Sequence, residues 1–245
     1  MFEEKTMASS TDMQAPQEVT IRSGRVSLKG HLGIPVSPLG MVVFAHGSDS
    51  GRFSQRNNFV ARFLQQGRVA TLLIDLLTPD EAEDRRKVFD IDLLADRVLL
   101  AKAWLEQDDR AQGLGIGYLG ASTGAGTALQ AAARDPSSIQ VIVSRGGRPD
   151  LAEAYLPSVT APTMLIVGGD DEPVIEMNRA AYRLLSCPKR LVIVPGATHL
   201  FEEPGTLEEV AEHALIWFQQ HFHSASTRVQ VRKQRSIFDE NHTRG

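Results

Sequence analysis

The chain has 245 residues, of which 42% are hydrophobic and 23% are charged, and its formal net charge is −4. This length is enough for one α/β domain with a sizeable core, and the balance is typical of soluble globular proteins. A chain with net negative charge has no overall positive potential to attract phosphates, which argues against nucleic acid as a partner. No segment approaches the ~18 unbroken apolar residues of a membrane span, so we expect no membrane association either.

Both ends of the chain are polar and differ from the middle in composition. Residues 1–16 lack the basic start and apolar stretch of a secretory signal, and residues 224–245 are mixed in charge without a sustained period. Cys187 is the single cysteine, so no intramolecular disulfide can form. We therefore predict a cytoplasmic protein with one domain over residues 17–223 and a disordered segment on each side of it.

The domain begins with two β-rich runs, EVTIRS and RVSLKGHLGIP, which a Ser-Gly turn near residue 24 separates. They predict an N-terminal antiparallel hairpin. Six nearly continuous apolar runs follow, as expected for strands buried on both faces of a parallel sheet. These runs cover residues 41–47, 69–76, 115–122, 139–145, 162–169 and 190–196.

Segments between the apolar runs have helical spacing, most clearly at 91–105 and 208–222. Alternating strands and helices predict an α/β fold with a mostly parallel, doubly wound sheet of about eight strands. In such sheets ligands bind at the carboxyl ends of the strands. The residues that follow each run are therefore the candidates for a functional site.

A serine among small residues follows the run at 115–122. The segment Gly120–Gly124 has the pattern G-x-S-x-G, centred on Ser122, and a strong helix-forming stretch comes next. A tight turn from strand to helix forces unusual backbone angles on its central residue and needs small neighbours. Ser122 is thus a candidate nucleophile. The alternative is close packing of a helix on the sheet with an incidental serine.

A serine hydroxyl becomes a useful nucleophile when a base takes its proton and a third group orients that base. Asp170 and Asp171 follow the run at 162–169, and His199 follows the run at 190–196. The order Ser122, Asp171, His199 is that of enzymes with a serine at such a turn. We favour Asp171 as the orienting acid and expect Asp170 to form the turn or cap the next helix.

Acyl transfer also needs backbone N–H donors for the developing oxyanion, one of them from the residue after the nucleophile. Thr123 and Ser48 are the candidates, and His46 and Gly47 shape the loop that carries Ser48. We interpret His46 as structural. No second histidine or cysteine lies at a ligand spacing from it, so we expect no metal, and the chemistry needs no cofactor.

The segment between the runs at 139–145 and 162–169 is long enough for only one short helix, which predicts a minimal cap and an open site. Arg145 and Arg148 stand at the start of this segment. One hypothesis is that they bind a substrate carboxylate or phosphate. The alternative is ion pairing with Asp150, Glu153 or the DEAED loop.

Four segments together, FAHGSDSGRFSQRN, GYLGASTGAG, PTMLIVGGDDEPVIEMN and VPGATHLFEEPG, resemble the α/β-hydrolase fold and, within it, the dienelactone hydrolase-like group. The resemblance covers residues from about 18 to 222. Some proteins of this subgroup are free-standing hydrolases and others are fused to a phosphoribosyltransferase domain. Nothing in this chain resembles that second domain.

The resemblance implies that Ser122 is the nucleophile, His199 the base and Asp171 its orienter, with Ser48 and Thr123 as backbone donors. Dienelactone hydrolase proper has a cysteine where this chain has serine, so a general ester, thioester or lactone is the expected substrate. Two alternatives stay open: another reaction on the same scaffold, such as acyl transfer or a lyase step, and a non-catalytic binding or scaffolding protein. The expected partner is a small-molecule acyl substrate, and the expected state is a monomer or homodimer.

Overall fold

The structure is a computed structural model that describes residues 15–48 and 50–222. The two segments predicted to be disordered lie outside these described residues, apart from residues 15 and 16. None of the described helices is long and apolar enough to cross a membrane.

In the described part of the chain, eight strands form one sheet in the order β1-β2-β4-β3-β5-β6-β7-β8. β1 pairs antiparallel with β2 and β2 antiparallel with β4, whereas all the other pairs are parallel. This confirms the N-terminal hairpin and the mostly parallel sheet. The strands are β1 Gln17–Ser23, β2 Val26–Gly33, β3 Gly40–Ala45, β4 Val69–Ile74, β5 Ile116–Ala121, β6 Ile139–Arg145, β7 Thr163–Gly168 and β8 Lys189–Val194.

Helices cover both faces of the sheet. They are α1 Gln55–Gln66, α2 Pro79–Ala82, α3 Arg85–Val88, α4 Ile91–Gln107, α5 Thr123–Arg134, α6 Glu172–Leu184 and α7 Thr206–His221. α1 and α7 pack on one face, and α4, α5 and α6 pack on the other. The predicted helices at 91–105 and 208–222 correspond to α4 and α7, whereas α1 and the two short helices α2 and α3 were not predicted individually.

The continuous apolar runs follow from this double covering. In β3, Val42 and Phe44 belong to the hydrophobic cluster beneath α1 and α7, while Met41 and Val43 belong to the cluster beneath α4 and α5. Because neighbouring side chains of a strand point to opposite faces, every residue of a doubly covered strand is buried. In β6 the same alternation places Val141 and Val143 beneath α1 and α7, and Ile142 on the other face.

The last strand differs from this prediction. β8 was expected to be buried on both faces, yet its side chains are mostly half-buried or exposed. The physical reason is that β8 lies at the edge of the sheet, where β7 is its one paired strand among the described residues. Its loop nevertheless reaches the carboxyl end of the parallel strands, where the predicted site residues lie.

The connection from β6 to β7 contains one short 3-10 segment, Pro149–Ser158. It packs against α5 and α6 on one face of the sheet. No separate cap domain covers the carboxyl ends of the strands in this connection. The prediction of a minimal cap is therefore confirmed.

Candidate functional site

Ser122 occupies the turn between β5 and α5. Its backbone has φ 52° and ψ −124°, a left-handed region that is costly for any residue except glycine. Three hydrogen bonds hold it there. The Ser122 N–H donates to the carbonyl of Arg145 at 3.2 Å, and the Ser122 carbonyl accepts from the N–H groups of Ala125 at 3.0 Å and Arg148 at 2.9 Å. The surrounding structure thus stabilises a strained backbone at the predicted nucleophile.

The elements around this turn approach one another very closely. A Cβ atom on Gly124 would lie 2.1 Å from the carbonyl oxygen of Ala45, at the end of β3. A Cβ atom on Gly47 would lie 3.1 Å from the Cβ of Ser122. The glycines around the serine are therefore required by the contact of α5 and the 46–48 loop with the turn, as the sequence pattern predicted.

The side chains of Ser122, His199 and Asp171 lie in one hydrogen-bonded row. Ser122 Oγ is 3.3 Å from His199 Nε2, and His199 Nδ1 is 2.7 Å from Asp171 Oδ2. Because a carboxylate can only accept a hydrogen bond at neutral pH, Nδ1 carries the proton and Nε2 can accept one from the serine hydroxyl. The row joins the ends of β5, β7 and β8.

Of the two adjacent carboxylates, Asp171 is the one that faces the histidine. Asp170 is exposed, and its backbone N–H donates to the carbonyl of Ala197 at 3.0 Å. Asp170 lies in the turn after β7, which is one of the two places expected for it, and the N-cap of α6 is Asp171. That cap makes no side-chain hydrogen bond with the helix, since its carboxylate is engaged with His199.

The loop that carries Ser48 is held at its start by His46. The His46 Nδ1–H donates to the carbonyl of Gly47 at 2.8 Å, and Nε2 accepts from the N–H of Leu76 at 3.0 Å. Burial lowers the pKa of His46, so the ring is neutral. This arrangement keeps Gly47 against Ser122. Thr123, the other candidate donor, is the first residue of α5, where an N–H has no acceptor within its own helix.

A cavity of about 310 Å³ adjoins this loop, and Ser48 lines it. The Arg52 N–H donates to Asp75 Oδ1 at 2.8 Å, and the Arg52 guanidinium also bonds to Asp75. This pair was not predicted from the sequence, although Asp75 directly follows the buried strand β4, and residues after such strands were the candidates for the site. The remaining lining residues include the apolar side chains of Leu77, Pro79, Ala82 and Val88. A larger cavity of about 770 Å³ lies between α1 and the start of α7. Neither cavity is lined by any of the three residues in the row.

The two predicted substrate-binding arginines differ in their surroundings. Arg148 makes a two-pronged ion pair with Asp150, with Nη2 2.7 Å from Oδ2, and its side chain is 35% exposed. Arg145 is buried and its Nη2 donates to Asn57 Oδ1 at 3.1 Å. The ion-pair alternative thus describes Arg148, whereas Arg145 has no carboxylate within 4.0 Å among the described residues.

Within residues 15–48 and 50–222, no group of three or more histidine, cysteine, aspartate or glutamate side chains is placed to hold a metal ion. The arrangement at the strand ends instead provides a hydroxyl, an imidazole and a carboxylate in contact. Such a row can take the proton from the hydroxyl during nucleophilic attack.

No family model matches the chain. Among curated proteins, two from Mycobacterium tuberculosis strains (H37Rv and CDC 1551 / Oshkosh), each named "Putative phosphoribosyl transferase", are 53% identical over 205 residues. The match covers 84% of this chain but 46% of each relative, so the chain spans about half the length of the curated relatives it matches.

Among solved structures, a dienelactone hydrolase from Anabaena variabilis is 54% identical, with a TM-score of 0.82 over 86% of this chain and 100% of that chain. Est1E from Butyrivibrio proteoclasticus has a TM-score of 0.72 over 83% of this chain and 98% of its own, but at 18% identity it shows the fold alone. The sheet order and the strand-end site define a protein of the α/β-hydrolase fold. Within that fold, the chain belongs to the dienelactone hydrolase-like family.

Proposed function

We propose that the protein is a serine hydrolase that cleaves a small or medium acyl ester, thioester or lactone. The observation that carries the proposal is the hydrogen-bonded row of Ser122, His199 and Asp171 at the strand ends. Membership of a family that includes a dienelactone hydrolase at 54% identity supports hydrolysis as the reaction.

In this proposal Ser122 Oγ attacks the acyl carbonyl carbon while His199 Nε2 takes the hydroxyl proton. Asp171 holds the imidazole and stabilises the imidazolium that forms. The backbone N–H groups of Ser48 and Thr123 donate to the oxyanion of the tetrahedral intermediate. His199 then gives the proton to the leaving group. Water, activated by the same histidine, releases the acyl group from Ser122.

The proposed substrate class rests on the open strand ends, because the minimal cap supplies no large apolar cover for Ser122. The serine nucleophile departs from the cysteine of dienelactone hydrolase proper, so the proposal names an acyl class rather than dienelactone. The cytoplasmic location and the monomeric or homodimeric state stay predictions.

The hypothesis that Arg145 and Arg148 bind a substrate anion also stays a prediction. Arg148 is the more accessible of the two, although an incoming carboxylate or phosphate would compete with Asp150 for its guanidinium. A neutral and an anionic ester with the same leaving group test both arginines, because an anion contact affects only the anionic ester.

The decisive experiment compares wild type with Ser122→Ala in hydrolysis of a p-nitrophenyl ester and in labelling by a fluorophosphonate probe. We expect turnover to fall by several orders of magnitude and labelling to disappear, because the nucleophile is lost while the fold is kept. Ser158→Ala, at an exposed serine on the 3-10 segment, is the matched control and should behave as wild type.

Near wild-type hydrolysis by Ser122→Ala would show that the mechanism is wrong. Failure of the folded wild-type protein to react with the probe would favour the non-catalytic binding class. Labelling at Ser122 without release of acid from esters, thioesters or lactones would favour acyl transfer to another acceptor.

A further inference from the structure

The four-residue turn Arg145–Arg148, which begins at the last residue of β6, holds the main chain of Ser122 on both sides. The carbonyl of Arg145 accepts the Ser122 N–H at 3.2 Å, and the N–H of Arg148 donates to the Ser122 carbonyl at 2.9 Å. Ser122 has a positive φ, so these two bonds help keep its backbone in a conformation that it would otherwise leave.

The same turn lies against the loop of the base. A Cβ atom on Gly146, whose φ is +51°, would be 3.0 Å from the carbonyl oxygen of His199. The turn is itself anchored, because Gly146 donates to the Ile166 carbonyl at 2.8 Å and Asn178 Nδ2 donates to the Gly147 carbonyl at 2.9 Å. A single turn therefore contacts both the nucleophile and the base.

The Arg145 side chain extends from this turn beneath α1. Arg145 is 9% exposed, and its Nη2 donates at 3.1 Å to Oδ1 of Asn57, which is 2% exposed. Its Nη1 is buried without a hydrogen-bond partner in the described part of the chain. Burial lowers the pKa of Arg145 to about 10, so the group still carries its charge at neutral pH. Burying a charge beside a neutral amide is unfavourable for stability, and an apolar side chain of similar size would avoid that cost.

Asn57 connects Arg145 to the loop that carries Ser48. It is the third residue of α1, and its N–H donates at 3.3 Å to the side chain of Ser54, the N-cap of that helix. The loop that contains Ser48 is thus held at both ends. At its start, His46 bonds to the Gly47 carbonyl and the Leu76 N–H. At its end, the first turn of α1 bonds to Arg145 through Asn57.

We propose that Arg145 is a positioning residue that sets the distance between the Ser122 nucleophile and the backbone donor at Ser48. Its main chain bonds to Ser122, and its guanidinium bonds to Asn57. This inference rests on the proposed hydrolase function. It explains why a buried arginine occupies this place, since the long guanidinium side chain spans from β6 to α1 and fixes both. It also differs from an anion-binding role, because Nη1 has no surface that a ligand in solvent could reach.

The test is steady-state hydrolysis of a neutral ester by four variants: Arg145→Met, Asn57→Leu, their double mutant and Asn57→Asp. We expect Arg145→Met and Asn57→Leu each to lower kcat by about 10- to 100-fold with KM nearly unchanged, because a shifted oxyanion donor affects the transition state more than the bound substrate. The double mutant should lose little more than either single variant, since both remove one bond. Asn57→Asp keeps an acceptor oxygen beside Arg145 and should retain most of kcat.

Arg179→Met, which removes an exposed arginine paired with Glu176 on α6, is the matched control and should leave kcat unchanged. The acid limb of the pH profile, which reports the base, should not move in any of the variants. If Arg145→Met does not fold, the comparison of Asn57→Leu with Asn57→Asp carries the test alone.

Wild-type kcat in Asn57→Leu, or equal kcat losses in Asn57→Leu and Asn57→Asp, would overturn the positioning role. A loss in Arg145→Met that is confined to KM for an anionic ester would replace it with anion binding. Both outcomes leave the loss of activity in Ser122→Ala intact, so they are distinguishable from failure of the proposed function itself.

Discussion

Among the individual residues of the site, His46 shows how burial and two hydrogen bonds select one protonation state. Its Nδ1–H donates to Gly47 and its Nε2 accepts from the Leu76 N–H. Protonation of Nε2 would place one N–H against another in a buried place. Burial consequently lowers the pKa of the ring in the folded protein.

A pH-dependent stability follows from that lowered pKa. As the pH falls below 6.5, the ordinary histidine value, the unfolded chain takes up a proton at His46 that the folded protein does not. His46 therefore stabilises the fold above this pH, and its contribution decreases on acidification. We expect His46→Asn to be less stable than wild type near neutral pH and to show a shallower loss of unfolding free energy between about pH 7 and about pH 5.5.

Urea unfolding at the two pH values measures this difference, with His213→Asn on α7 as the control. Subtracting the pH effect in each variant from that in wild type isolates the contribution of each histidine. An unchanged pH effect in His46→Asn would contradict the assigned neutral state of the ring.

At the scale of the elements, the site depends on how closely α5 approaches β3. The first turn of α5 lies very near the end of β3. Any side chain at Gly124 would collide with the carbonyl oxygen of Ala45. This approach sets the place of Ser122 and Thr123 relative to the loop that follows β3.

Gly124→Ala should therefore disturb both stability and catalysis. The new methyl group would meet rigid backbone, so α5 must shift, and we expect the free energy of unfolding to fall by about 1–3 kcal/mol. We also expect kcat to fall by at least about 10-fold, because the proposed oxyanion donor at Thr123 moves with the helix.

Gly115→Ala is the matched control for that variant. The three atoms nearest to a Cβ atom on Gly115 all belong to the end of the Gln140 side chain rather than to backbone. Chemical denaturation and ester hydrolysis compare the two variants. Similar effects of both would show that the close approach of α5 to β3 is not what constrains Gly124.

At the scale of the whole molecule, the sheet separates the two largest hydrophobic clusters of the described residues. Leu64 on α1 and Leu129 on α5 are fully buried in opposite clusters. We expect Leu64→Ala and Leu129→Ala each to lower the free energy of unfolding by about 2–5 kcal/mol, through lost burial and the cavity that remains. Their effects should add in the double mutant, because the side chains share no partner across the sheet.

Urea unfolding of the two single variants and the double mutant measures this additivity. Leu184→Ala, at a leucine that is 38% exposed near the end of α6, should cost much less and serves as the control. A double mutant that deviates from the sum by more than about 0.5 kcal/mol would indicate coupling of the two clusters through the sheet.

Much of the fold could be predicted because burial on both faces of a parallel sheet produces continuous apolar runs, and six such runs lie where β3 to β8 begin and end within a few residues. The helix α1 was not predicted individually, because most of its residues are polar, although its buried residues Val60, Ala61 and Leu64 do have helical spacing. The exposure of β8 was also missed, because strand order, and thus which strand forms the edge, depends on pairing between distant segments.

By itself, the sequence determined the strand-helix alternation, the glycine-flanked serine and the order in which serine, acid and histidine follow their strands. Local backbone chemistry and burial set all of these. Only the tertiary structure decided that Asp171 rather than Asp170 faces His199, and that Arg148 pairs with Asp150 while Arg145 extends beneath α1. The sequence favoured Asp171 and left both roles of the arginines open, because the outcome depends on where each side chain points after distant strands have aligned.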